Sequence, residues 1–129
     1  METPEYLTRR FTVAPDDTAL AVGSGTLHVL GTPRLIAWME AVTCEAIAPS
    51  LPPGGTSVGT RIDVEHLAPS AVGSEVEVQA SLAYLDGRLH RFTLSARNVV
   101  DNKAVQVVGS GEITRVVVDS DKFMARLQV

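Results

Sequence analysis

The sequence predicts a single α+β domain in which an antiparallel sheet wraps one long helix, and three observations carry that expectation. Residues 31–48 are the only stretch with the length and composition of a long helix. From Thr56 onward the apolar period changes from about 3.6 to 2. The segments that follow are divided by turn signals into four consecutive antiparallel strands. A helix that is apolar around most of its circumference then has one cover available, a curved sheet.

Residues 5–13 read as a short strand that ends at the turn-rich Ala14-Pro15-Asp16-Asp17. Gly23-Ser24-Gly25 leads into a brief extended piece, Thr26–Leu30. Thr32 is placed to cap the helix with its hydroxyl, Pro33 to occupy the first helical position, and Pro49 to stop it. Residues 49–55 are a loop by composition. In 58–66 the even positions Val58, Thr60, Ile62, Val64 and His66 face inward. The same parity holds in 75–84, and Asp86-Gly87 signals a hairpin to 89–98. Asp101-Asn102 makes the next turn into 104–118, where Gly109 and Gly111 predict a bulge or bend. Asp119 caps a closing helix carrying Phe123, Met124 and Leu127.

Composition narrows the function classes. The 129 residues are 45% apolar and 20% charged, as in a soluble globular protein, and no repeat or linker divides them. A net charge of −4 without a basic patch argues against a nucleic-acid partner. No apolar run approaches a membrane span, and no signal-peptide core opens the chain. The one cysteine, Cys44, can form no intrachain disulfide, which fits a reducing cytoplasm; its helical position predicts buried packing.

Three side chains carry chemistry. Arg34 and Glu45 fall within about 20° of each other on the helix and mark its polar face. Glu40 lies roughly 120–140° away, with Ile36, Thr43 and Ile47, where a carboxylate is costly unless paired or at work. His66, on the inward parity of its strand, can act as acid or base near neutral pH. Thr32 offers a hydroxyl at the positive end of the helix dipole, a place that favours a developing oxyanion.

Each has a plainer alternative: a cap for Thr32, a satisfied core imidazole for His66, an arginine partner for Glu40. Thr32 and Glu40 are separated by about 12 Å of helix axis, so a joint role needs water, substrate or His66 between them. His28 and His90 lack metal-ligand spacing, so no metal site is expected. Neither a phosphate-binding glycine loop nor a nucleophile elbow is present. Trp38 falls on the Arg34/Glu45 side, as surface or subunit contact.

Taken together, Thr32-Pro33, Met39-Glu40, Gly59-Thr60, Val64-Glu65-His66, Val108-Gly109-Ser110-Gly111 and Lys122-Phe123 resemble hotdog-fold thioesterases of the fluoroacetyl-CoA thioesterase family, over residues 8–127. The resemblance implies a hotdog fold, a homodimer or dimer of dimers with sites at its interface, and hydrolysis of a small or medium acyl-CoA without metal or cofactor. It matches Thr32, Glu40 and His66 to the family's catalytic residues and Gly59 to a glycine near the acyl pocket. Two departures stand out. Residues 23–30 carry no phenylalanine where the fluoroacetyl-specific lid has one, which implies a thioesterase of more general acyl preference. Ile113 stands where relatives often have a histidine, and is expected to alter the pocket. A hotdog enoyl-CoA hydratase or dehydratase and a non-catalytic acyl-CoA-binding module are the competing readings.

Overall fold

The computed structural model describes residues 2–127. Strand β1 (Tyr6–Thr12) is followed by a short helix α1 (Ala19–Val22) and the long helix α2 (Thr32–Ile47). Strands β2 (Gly55–His66), β3 (Glu75–Asp86), β4 (Leu89–Val100) and β5 (Lys103–Asp119) follow, and α3 (Ser120–Ala125) closes the chain. The five strands form one antiparallel sheet in the order β1-β3-β4-β5-β2. Leu35, Met39, Val42, Ala46 and Ile47 of α2 are buried against Val76, Val78, Ala80, Phe92, Leu94, Ala96 and Ile113 of the sheet. This is the hotdog arrangement, with the helix in the curve of the sheet.

Central strands follow the predicted parity. In β3, Val76, Val78 and Ala80 are buried, and in β4, Phe92, Leu94 and Ala96. Asp101 and Asn102 turn the chain with φ of 51° and 65°, the left-handed geometry of a tight hairpin. The first hairpin loop lies one residue later than read, at Gly87-Arg88, with Gly87 at φ 59°. Asp119 caps α3 by accepting from Lys122 N–H at 3.0 Å; Leu127 lies beyond that helix and is exposed.

The edges depart from the expectation. β2 begins at Gly55, and a register shift between Gly59 and Arg61 interrupts its parity, leaving Ile62 43% exposed. A strand paired on one side only is not held to one buried face. Thr26–Leu30 forms no strand, only single bridges at Val29 and Leu30. The unpredicted α1 is four residues long, capped by Thr18 and closed by Gly23 at φ 78°.

The structure corrects the reading of Cys44 and places Ile113 and Trp38. Cys44 is exposed, because the buried stripe of α2 passes through Val42, Thr43, Ala46 and Ile47. Ile113 belongs to the core, between Ile62 and Phe92 in register, and does not line the cleft described below. Trp38 is half-buried and stacks on Phe11 of β1, with ring centroids 4.9 Å apart. Around it, Glu45 pairs with Arg9, and Arg34 with Asp17 at 3.0 Å.

Candidate active site

The start of α2 is set by close packing. Gly31, not Thr32, is the N-cap residue, and its carbonyl accepts from Arg34 and Leu35 N–H. A Cβ on Gly31 would lie 2.8 Å from Val22 and 3.0 Å from the backbone of Ala19, so the contact with α1 requires glycine there. Thr32 is therefore the first helical residue, and its hydroxyl makes no capping bond.

That hydroxyl meets His66 instead. Thr32 Oγ1 and His66 Nδ1 are 2.7 Å apart. Two features bring them together. His66 ends β2 opposite Gly109 of β5, and Leu67 N–H anchors the strand end by donating to the Val108 carbonyl at 2.6 Å. A Cβ on Gly109 would lie 2.9 Å from the Glu65 carbonyl and 3.0 Å from Leu35, so its bare Cα lets α2 settle onto the sheet. In the tautomer protonated on Nε2, Nδ1 accepts the threonine proton, the relation of a nucleophile to its base.

His66 Nε2 is buried without a hydrogen-bond partner. Burial lowers the His66 pKa below that of free imidazole, against a weaker opposing pull from the backbone at Ala68. The pair opens into a cleft of about 510 Å³ lined by Ser24, Leu27, Leu30 and Leu67 among others. The segment before the helix thus forms one wall of the cleft.

Glu40 lies elsewhere along the helix, and no hydrogen bond joins it to Thr32 or His66. Its Oε2 is 3.4 Å from Arg115 Nη1, with the glutamate side chain 34% exposed and the arginine 7%. Arg115 also donates from Nε to Ser57 Oγ at 2.8 Å and from Nη2 to the Ser57 carbonyl at 3.0 Å. Gly59 is its register partner across β2 and β5. A Cβ on Gly59 would lie 2.7 Å from Glu40 Oε2 and 3.4 Å from Arg115 Nη1, so this glycine makes room for the carboxylate.

Arg115 is the residue that sequence reading missed. Its signal was a charge in the apolar run Ile113-Thr114-Arg115-Val116-Val117-Val118, the strand counterpart of Glu40 on the helix. Among the described residues, no group of three or more His, Cys, Asp or Glu is arranged to hold a metal ion.

Comparison with known proteins agrees with this architecture. The family described as fluoroacetyl-CoA-specific thioesterase matches residues 13–121. A fluoroacetyl-CoA thioesterase from Streptantibioticus cattleyicolor is 36% identical over 101 residues, covering 78% of this chain and 69% of that protein. A solved structure of a fluoroacetyl-CoA thioesterase superposes with a TM-score of 0.88 at 32% identity, covering 98% of this chain and 94% of that one. A thioesterase superfamily member from Thermus thermophilus gives 0.83 at 25% identity, covering 95% and 89%. The chain belongs to the fluoroacetyl-CoA-specific thioesterase family and is a hotdog-fold thioester hydrolase.

Proposed function

We propose that the chain hydrolyses a small or medium acyl-CoA thioester to a carboxylate and free CoA, using Thr32, His66 and Glu40. One observation carries the reading: the 2.7 Å contact between Thr32 Oγ1 and His66 Nδ1, at a cleft open to substrate. Thr32 attacks the thioester carbon while Nδ1 takes its proton. Collapse of the tetrahedral intermediate breaks the C–S bond, and the proton passes to the departing thiolate. Water then cleaves the threonyl ester, with His66 again as base. Related proteins support the substrate class, since one relative of 32% identity was solved in complex with acetyl-CoA.

Glu40 is assigned to water or substrate rather than to His66, because its carboxylate is engaged by Arg115 beside Gly59. Gly59 leaves that carboxylate the space it occupies. The wall formed by residues 24–30 offers Leu27 and no phenylalanine, which favours a general acyl preference over discrimination of a fluorinated group.

The active form is read as a homodimer. β2 has one side paired to β5 and one side open, and an open strand of this length is a template for a second copy. The exposed, unpaired Cys44 suits a cytoplasmic location. The deciding experiment is a panel of saturated acyl-CoAs with free thiol as the readout, alongside light scattering. Thiol release from short and medium chains by a dimer is expected; no release above background from any of them overturns the hydrolase reading.

A further inference from the structure

We infer that the outer face of the sheet carries a second site, a hollow between Arg61, Arg91, Thr114 and Glu112 that takes inorganic phosphate in a form bearing a proton. The inference does not depend on the hydrolase reading, because the hollow lies across the sheet from the cleft. Arg91 and Thr114 alternate along β4 and β5 with Phe92 and Ile113, which are buried in the core with α2. Their side chains therefore leave the sheet on the side away from the helix.

Register builds the hollow. Arg61 of β2 and Arg91 of β4 are both partners of Thr114, one on each side of β5. Neighbouring strands are about 4.8 Å apart, so the two arginine backbones stand roughly 10 Å from each other with the threonine between them. Glu112 precedes Thr114 by two residues, about 7 Å along the same face. These four side chains line a space of about 260 Å³, and Thr114, only 7% exposed, lies deepest in it. Arg91 is braced by its other register partner, Tyr84, with the guanidinium 5.2 Å from the centre of the ring. Stacking on an aromatic face leaves the N–H groups in the guanidinium plane free to donate.

Charge identifies the occupant. Among the described residues, Arg9, Arg10, Arg34 and Arg115 each pair with a carboxylate, whereas Arg61, Arg91 and Glu112 enter no ion pair. Two cations and an anion thus face one hollow without closing on each other. A tetrahedral oxyanion with one O–H matches the set group for group. Two oxygens accept from Arg61 and Arg91, a third accepts from the Thr114 hydroxyl, and the O–H donates to Glu112. A free carboxylic acid anion has only two oxygens for the three donors. Glu112 then decides among tetrahedral anions. Inorganic phosphate retains an O–H near neutral pH, whereas sulfate would set bare oxygens against the carboxylate. A phosphate monoester, with its second pKa at about 6, has largely lost its O–H by about pH 8.

The test is calorimetric titration of the full-length protein with inorganic phosphate, sulfate and methyl phosphate, at about pH 8 and matched ionic strength. Phosphate is expected to bind about tenfold or more tightly than either of the others. Arg61→Gln and Arg91→Gln should each weaken phosphate binding about tenfold or more. Glu112→Gln should erase the preference by weakening phosphate and admitting sulfate, since an amide donates where the carboxylate only accepts. Unchanged circular dichroism in the variants separates loss of this site from loss of the fold. Equal binding of phosphate and sulfate by the wild-type protein, tighter binding of methyl phosphate, or no uptake of phosphate overturns the site. Phosphate binding that survives both arginine substitutions overturns it as well.

Discussion

Gly59 and Glu40 divide one volume between them: a Cβ on the glycine would stand 2.7 Å from the glutamate's Oε2. Gly59 is not in a left-handed conformation, so its backbone accepts alanine. Gly59→Ala therefore acts on the flexible end of Glu40. The expected outcome is a stability change below about 1 kcal/mol by urea unfolding, with kcat/KM lowered about tenfold or more. Unchanged kinetics would mean that the carboxylate has no part in turnover where it stands.

Glu40→Gln keeps the shape and removes the charge that faces Arg115. If the carboxylate works on water or substrate, kcat falls by about 10²-fold. Steady-state kinetics on an acyl-CoA read this directly, and a variant with the parent kcat would favour a binding role.

Thr32→Ala and His66→Ala should each lower kcat about 10²-fold or more, and the double variant should be little worse than either single one. Two groups that act as one unit lose the same step whichever is removed. Losses that multiply would separate the hydroxyl from the imidazole despite their 2.7 Å contact.

Arg115 joins stability to positioning. Arg115→Met removes a buried guanidinium that serves Ser57 twice and Glu40 once. The expected cost is about 2 kcal/mol, since Ser57 loses its partners while Glu40 remains partly hydrated. Chemical denaturation checks it, and Arg115→Lys should restore the charge without both contacts to Ser57.

Burial places the folded pKa of His66 below the 6.5 of free imidazole. The imidazole is then neutral, and able to take the threonine proton, at pH 7. The acid limb of kcat/KM should have its midpoint below 6.5. For stability the sign follows from linkage: the unfolded chain takes up this proton at higher pH than the folded one. The contribution is complete above 6.5 and is lost as pH falls through the folded pKa. His66→Gln should remove that part of the pH dependence of the urea midpoint.

What the sequence disclosed follows how strongly each residue is constrained. β3 and β4 have neighbours on both sides and a helix beneath, so their alternation is strict and was readable. β2 is constrained on one side, and its parity fails at Ile62. The helix was legible, but its cap was misplaced by one residue because Gly31 answers to packing against Ala19 and Val22, a tertiary contact. Thr32, Glu40 and His66 had local signals, whereas Gly59 entered only through the resemblance. Which of them meet had no such signal: Thr32 finds His66, whereas Glu40 finds Arg115 on a strand far along the chain. A lone arginine in a strand looks like a solvent-facing residue until its register is known.

The strand order also sets when the site can exist. β2 carries His66 but pairs only with β5, the last strand of the chain. During synthesis, helix α2 and β2 leave the ribosome well before the segment that holds them in register. A nascent chain short of β5 has threonine and histidine but no template to align them. The proposed chemistry thus waits on β5, and a chain that stops short of that strand lacks the alignment of Thr32 with His66.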